Sequence, residues 1–125
     1  MEKKRILVID DEEDFLLITK LNLEKTGKYI VKTSPSSVGI LDFVREFKPD
    51  LVLIDILMPQ QDGFEACKKL NDDPEAKKVP IITLSALDKD KDKLMMYKVG
   101  VVDYLTKPVE RDELIAKIDK VLKDK

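Results

Sequence analysis

The chain has 125 residues, enough for one domain with a sizeable core, and 43% of them are apolar. Its 23 basic and 25 acidic side chains nearly cancel, so the composition gives no reason to expect direct contact with nucleic acid or a charged membrane. The single cysteine excludes an internal disulfide, and the lack of histidine excludes histidine-based metal sites and general bases. No apolar run could span a membrane and no signal peptide is recognisable, so we expect one cytoplasmic domain over residues 1–125.

Five short apolar runs alternate with amphipathic stretches along the chain. Strands are predicted over residues 6–9, 29–33, 51–54, 81–84 and 101–105. Helical spacing of apolar residues predicts helices over residues 12–26 and 37–47, from Phe64 onward, over 88–98 and after Pro108. Glycine or proline near the ends of these stretches marks where the chain turns.

This alternation predicts an α/β fold of the flavodoxin-like, doubly wound type. Short right-handed crossovers place helices on both faces of a parallel sheet. The strands are apolar throughout rather than at every second position, as expected for a five-stranded parallel sheet that is covered on both sides. Among such folds the strand order 2-1-3-4-5 is a common solution, and ligands bind at the carboxyl ends of strands 1 and 3.

Polar side chains stand at the carboxyl ends of the predicted strands. They are Asp10 and Asp11 after strand 1, Asp55 after strand 3, Ser85 after strand 4 and Lys107 after strand 5. In the predicted topology they converge on one crevice, where three carboxylates repel one another unless cations balance them. Oxygen ligands without histidine or cysteine favour Mg²⁺, and an aspartate beside Mg²⁺ can accept a phosphoryl group. Lys107 and Ser85 could then contact the phosphoryl oxygens.

Each of these residues also has a simpler interpretation. Asp10 and Asp11 can merely cap the first helix, and Asp55 can be an ordinary polar residue at the end of a strand. Ser85 can form a turn, and Lys107 can be a solvated surface lysine. A shared site is favoured because the suitable residue types occur together, at successive positions along one edge of the sheet.

The same segments resemble the receiver domains of two-component response regulators, the family of the chemotaxis regulators. The similarity covers essentially the whole chain and rests on ILVIDDEED, LVLIDILMPQQDGFE, IITLSA and VDYLTKP. The spacing agrees as well, with 44 residues from Asp11 to Asp55, 30 more to Ser85 and 22 more to Lys107. The resemblance implies a signalling domain rather than an enzyme. It would take a phosphoryl group from the phosphohistidine of a sensor histidine kinase or histidine phosphotransfer protein and control a downstream effector.

The resemblance also implies which residues receive the phosphoryl group and hold the metal. Asp55 is the implied phosphoacceptor. Asp10, Asp11 and Asp55, with the backbone carbonyl of Leu57, are the implied ligands of Mg²⁺.

A second group of implied roles concerns the response to phosphorylation. Ser85 and Lys107 would contact phosphoryl oxygens, and the Lys107–Pro108 peptide bond would be cis. Ser85 and Tyr104 would form the switch: as Ser85 moves towards the phosphate, the Tyr104 ring moves into the vacated space. The surface of the fourth helix, fifth strand and last helix would thereby shift towards a partner-binding state.

Leu57 and Leu87 depart from the family pattern, because many relatives carry polar side chains at these two positions. Both border the route by which water would attack an aspartyl phosphate. We therefore expect slow self-dephosphorylation.

Two other classes of function are compatible with parts of this pattern. An Asp-nucleophile phosphatase of the haloacid dehalogenase type also has an aspartate after strand 1, but it needs a second acid two residues later and soon a hydroxyl residue. Here no serine or threonine occurs before Thr19. A flavodoxin-like cofactor binder needs hydrogen-bond donors in the first loop, where this chain has DDEED. Within the signalling class, a stand-alone regulator, a phosphorelay intermediate and a receiver from a longer regulator all stay open.

Overall fold

A five-stranded parallel sheet forms the centre of the molecule. The computed structural model describes residues 2–58, 61–85 and 97–123. The strands are β1 (Lys4–Ile9), β2 (Tyr29–Ser34), β3 (Leu51–Asp55), β4 (Leu57–Met58), β5 (Gln61–Asp62), β6 (Ile81–Ser85) and β7 (Val101–Thr106). β4 and β5 form a separate short hairpin that was not predicted from the sequence. The main sheet has the order β2-β1-β3-β6-β7, which confirms the predicted order 2-1-3-4-5 of the five principal strands.

Helices cover both faces of this sheet. They are α1 (Glu13–Lys25), α2 (Ile40–Phe47), α3 (Gly63–Asp72) and α4 (Arg111–Leu122), and a short 3-10 helix spans Ala76–Lys78. Buried residues form two layers, one that includes α2 and α3 and one that includes α1 and α4, so the predicted two-faced α/β architecture is confirmed. None of the helices in the described ranges is long and apolar enough to cross a membrane. The helix predicted over 88–98 lies outside the described residues except for 97–98, which are helical.

The continuous apolar run of β1 supplies both layers of the core. Successive side chains of a strand point to opposite faces of the sheet. Ile6 and Val8 therefore pack in the layer of α1 and α4, while Leu7 and Ile9 pack in the layer of α2 and α3. All four are fully buried, and burial of each such side chain stabilises the fold by about 1.5–3 kcal/mol.

Helix α2 begins at Ile40, three residues later than predicted. Gly39 adopts a φ of +76°, a left-handed conformation in which a helix cannot continue. The serines before it form a turn instead: the Ile40 N–H donates to the Ser37 carbonyl, and the Val38 N–H donates to Ser36 Oγ. The prediction from apolar spacing was therefore wrong at this end, because local hydrogen bonds of serine compete with the helix.

The parallel arrangement brings the carboxyl ends of the five strands to one edge of the sheet. Main-chain hydrogen bonds extend slightly beyond two of these ends. The Asp10 N–H donates to the Ser34 carbonyl at 3.1 Å, and the Ile56 N–H donates to the Leu84 carbonyl at 3.0 Å. The backbone at the carboxyl ends of β1 and β3, which carries Asp10 and Asp55, is thus held in register with its neighbours.

Candidate functional site

Three carboxylates meet at this edge of the sheet. Asp10 follows β1, Asp11 is the next residue, and Asp55 ends β3. One oxygen of each carboxylate lies within 4.8 Å of the other two. Asp10 is fully buried and Asp55 is 4% exposed, whereas Asp11 is half-buried. The fold therefore brings together the three acids that the sequence placed on one crevice.

The ammonium group of Lys107 lies among these acids. Its Nζ donates hydrogen bonds to Asp10 Oδ2 at 2.8 Å, to Glu12 Oε1 at 2.8 Å and to Asp55 Oδ2 at 3.1 Å. The Lys107–Pro108 peptide bond is cis, as predicted. The residue that follows β7 thus reaches across the sheet edge to the acids at the carboxyl ends of β1 and β3.

Burial and charge act against each other in this cluster. Burial raises the pKa of Asp10, and the hydrogen bond from Lys107 offsets that effect only in part. The neighbouring charge of Asp55 raises the pKa of Asp10 further. Burial alone would lower the pKa of Lys107, but its hydrogen bonds to Asp10, Glu12 and Asp55 outweigh burial and raise it. The lysine therefore stays charged, and the acids that surround it outnumber it.

This surplus of carboxylate oxygens fits a hard divalent cation. Mg²⁺ prefers oxygen ligands and is commonly bound by one or two carboxylates together with water and phosphate oxygens. Asp10, Asp11 and Asp55 are the residues that would hold it, since each offers one oxygen to the cluster. A cation at these oxygens would also relieve the repulsion that raises the pKa of Asp10.

Gly63, the first residue of α3, allows the helix to start against the end of β3. A Cβ atom at this position would lie 2.3 Å from the carbonyl oxygen of Asp55 and 2.6 Å from Cα of Ile56. The Gly63 N–H also donates to the Ile56 carbonyl at 3.3 Å. Any larger residue would have to displace the backbone that carries Asp55, so glycine at position 63 is a requirement of the site as well as of the helix start.

Two contacts of Lys107 were not predicted from the sequence. Glu12 accepts one of its hydrogen bonds, and the ring of Phe15 lies with its centroid 4.9 Å from Nζ, within the range of a cation–π interaction. The available signal was the acidic run DDEED, which places Glu12 at the same edge of the sheet. Only the first two acids of this run were predicted to belong to the site.

Ser85 and Leu57 also lie at this edge, and the roles predicted for them stay predictions. Ser85 is the last residue of β6, where its backbone pairs with Thr106 of β7. Leu57 begins the hairpin two residues after Asp55. Leu87 lies outside the described residues.

Tyr104, the predicted switch residue, is half-buried in β7. Nζ of Lys117 lies 5.1 Å from the centroid of its ring and donates to its carbonyl oxygen at 2.8 Å. The same ammonium donates to Asp103 Oδ1 at 3.1 Å. A lysine of α4 therefore contacts both the ring and the backbone of Tyr104.

The chain is similar in sequence and in fold to known proteins. Residues 6–119 match the family described as the response regulator receiver domain. Protein PilH of Pseudomonas aeruginosa is 37% identical over 118 residues, which cover 94% of this chain and 97% of that protein.

The chain also resembles part of a longer protein. The alkaline phosphatase synthesis transcriptional regulatory protein PhoP of Bacillus subtilis is 37% identical over 120 residues, which are 96% of this chain but 49% of PhoP. The chain thus spans about half the length of that relative. Among solved structures, a putative response regulator from Chloroflexus aurantiacus J-10-fl matches with a TM-score of 0.88 and 30% identity, covering 97% of this chain and 98% of that chain.

Proposed function

Because the chain belongs to the response regulator receiver family, whose members are phosphorylation-activated signalling domains of two-component systems, we propose that Asp55 accepts the phosphoryl group. The observation that carries this proposal is the hydrogen bond from Lys107 to Asp55 inside the three-acid cluster. Asp10 also accepts from Lys107, but its other oxygen accepts from the Glu12 N–H, which suits Asp10 to holding the backbone after β1 in place.

The proposed reaction is a transfer between two nucleophiles. A carboxylate oxygen of Asp55 attacks the phosphorus, and the bond from phosphorus to the donor's nitrogen or oxygen breaks, so that the donor leaves with that electron pair. The Lys107 ammonium balances negative charge on the phosphoryl oxygens, and the Ser85 hydroxyl donates to another of them. Such a reaction depends mainly on positioning and on charge neutralisation.

Receiver domains generally bind Mg²⁺, and we assign its ligands in this chain to Asp10, Asp11 and Asp55 with the backbone carbonyl of Leu57. The bound ion supplies positive charge beside the phosphoryl group. Receiver domains are in general signalling domains rather than enzymes, which argues against the phosphatase alternative.

We expect Mg²⁺ and a small-molecule acyl phosphate to add one phosphoryl group to the chain, because the site would supply both the nucleophile and the balancing charge. Intact-protein mass spectrometry measures the product, and chelation of the metal with EDTA should prevent it. A mass increase that survives chelation, or more than one added group, would contradict the proposal.

The proposed response to phosphorylation involves Tyr104. Its contacts with Lys117 hold the ring and the end of β7 in the conformation described above. Phosphorylation would draw Ser85 towards the new phosphoryl oxygen, and the Tyr104 ring would follow. A downstream effector would then bind the altered surface as a shift in the population of two states. Slow self-dephosphorylation and a role as a phosphorelay intermediate stay predictions of the same kind.

A candidate surface for the phosphodonor protein lies beside the site. Leu17, Ile18 and Leu21 of α1 are each more than half exposed. A cleft of about 660 Å³ between α1 and α4 is lined by Ile18 and also by Lys107, so the apolar surface is continuous with the phosphorylation site. A histidine kinase or phosphotransfer protein that seats apolar side chains on α1 would bring its phosphohistidine close to Asp55.

Replacement of Ile18 by Asp should slow phosphotransfer from a protein donor by about tenfold or more, since tenfold corresponds to about 1.4 kcal/mol and a hot-spot residue at the centre of an interface contributes about 2 kcal/mol or more. Phosphorylation by the small-molecule donor should be unchanged, because Ile18 does not contact Asp55 in this proposal. The measurement uses a purified, autophosphorylated histidine kinase that phosphorylates the wild-type chain.

Ile30→Asp is the matched control, because Ile30 is also exposed but lies near the amino end of β2, away from the carboxyl edge of the sheet. Equal losses in both variants would show that α1 is not the docking surface.

A further inference from the structure

We propose that Glu12 competes with the incoming phosphoryl group for the Lys107 ammonium and thereby restrains phosphorylation. This inference rests on the proposed function of Asp55 and assigns a positioning role to a residue outside the predicted site.

The Lys107 ammonium has three N–H donors, and three carboxylates accept from it. They are Asp10 at 2.8 Å, Glu12 at 2.8 Å and Asp55 at 3.1 Å. Its donors are therefore fully used before any phosphodonor binds. A phosphoryl oxygen that approaches Asp55 can gain a hydrogen bond from Lys107 only if one of these acceptors gives way.

The acceptors differ in how easily they can leave. Asp10 is fully buried, and a buried carboxylate that loses its cation is strongly destabilised. Asp55 must stay beside Lys107 at the start of the reaction, because it is the proposed nucleophile. The Glu12 side chain is 64% exposed, so water can replace Lys107 as its partner at little cost. Glu12 is therefore the acceptor that gives way.

The backbone of Glu12 keeps its carboxylate close to the site. The Glu12 N–H donates to Asp10 Oδ1 at 2.9 Å, and the Glu12 carbonyl accepts from the Leu16 N–H at 3.1 Å in the first turn of α1. The side chain can swing between Lys107 and water while these main-chain bonds stay in place. In the inward position its negative charge also repels an anionic phosphodonor.

The test compares two neutralising substitutions in adjacent residues. Glu13, the first residue of α1, is exposed, carries the same charge, and forms no ion pair within the part of the chain that the structure describes. With acetyl phosphate at saturating Mg²⁺, Glu12→Gln should accelerate phosphorylation about two- to fivefold, because the free energy that a partly exposed ion pair contributes corresponds to a factor of this size. Glu13→Gln should leave the rate close to that of the wild type, because its charge is screened by water and salt.

A second measurement reports the contact without any phosphorylation. In the metal-free chain, the ¹⁵N NMR signal of the Lys107 ammonium should show faster hydrogen exchange in Glu12→Gln and no change in Glu13→Gln. The inference is overturned if Glu12→Gln is phosphorylated at the wild-type rate or more slowly, or if both variants accelerate equally. Failure of the proposed function is a separate outcome, namely an Asp55→Asn chain that still gains a phosphoryl group.

Discussion

Replacement of Asp55 by Asn is expected to reduce phosphoryl addition below detection. The amide is similar in size to the carboxylate, but it is uncharged and does not act as a nucleophile towards phosphorus. The fold should survive, because the substitution removes a buried charge that raises the pKa of Asp10. The measurement is intact-protein mass after incubation with Mg²⁺ and acetyl phosphate, together with thermal unfolding of the same sample.

Asp42→Asn is a suitable control, since Asp42 carries the same charge on the exposed surface of α2. It should be phosphorylated like the wild type. If the Asp55→Asn variant still gained a phosphoryl group, another residue would be the acceptor and the assignment of the site would be wrong.

Replacement of Lys107 by Ala is expected to destabilise the metal-free chain by about 2 kcal/mol, less than for a fully buried ion pair because the lysine side chain is 18% exposed. The loss arises because Asp10 and Asp55 stay buried without the ammonium that now balances them. Thermal or denaturant unfolding in the presence of EDTA measures it. Mg²⁺ should stabilise the variant more than the wild type, since the ion supplies positive charge at the same carboxylates.

The dependence of this effect on pH follows from Asp10. Burial holds the pKa of Asp10 above its ordinary value of 3.8, so the ionised form is disfavoured in the folded state. The ionised carboxylate of Asp10 therefore lowers the free energy of unfolding. This effect is absent below pH 3.8 and grows as the pH rises through the raised pKa. Without Lys107 this effect should be larger. The difference in the free energy of unfolding between the Lys107→Ala variant and the wild type should therefore shrink on acidification towards pH 4.

Two control variants distinguish the loss of the positive charge at position 107 from a non-specific loss of stability. Lys107→Arg keeps the positive charge and should retain much of the stability, whereas Lys25→Ala removes an exposed lysine of α1 and should have little effect. A Lys107→Ala chain as stable as the wild type in EDTA would show that the ammonium does not balance the buried acids.

The strands were predictable because their signal is local. The strands inside the sheet are short apolar runs, because a strand buried on both faces needs apolar residues at consecutive positions, as Ile6 to Ile9 illustrate. The edge strands β2 and β7 carry polar residues as well and are only partly buried. The alternation with helices then restricts the topology to a few arrangements, of which the common one was found. The hairpin of β4 and β5 was missed, because two-residue strands carry no pattern that repeats.

Competition between local hydrogen bonds and the helix explains why the predicted start of α2 was wrong. The apolar spacing that predicted a helix from Ser37 is compatible with that start, but the turn formed by Ser36 and Ser37 and the left-handed Gly39 delay the helix to Ile40. Both outcomes satisfy the same apolar pattern, so the choice depends on hydrogen bonds that the pattern does not contain.

By itself, the sequence determined the layered α/β fold and the set of polar residues at the carboxyl edge, because apolar runs and the residues that end them are properties of neighbouring positions. Only the tertiary structure decided that Lys107 divides its three hydrogen bonds among Asp10, Glu12 and Asp55, and that Gly63 must lack a side chain beside Asp55. The first fact depends on side-chain rotamers and on residues far apart in the chain, and the second on how closely the backbone of α3 approaches β3, so both are settled only after the sheet and its helices have packed.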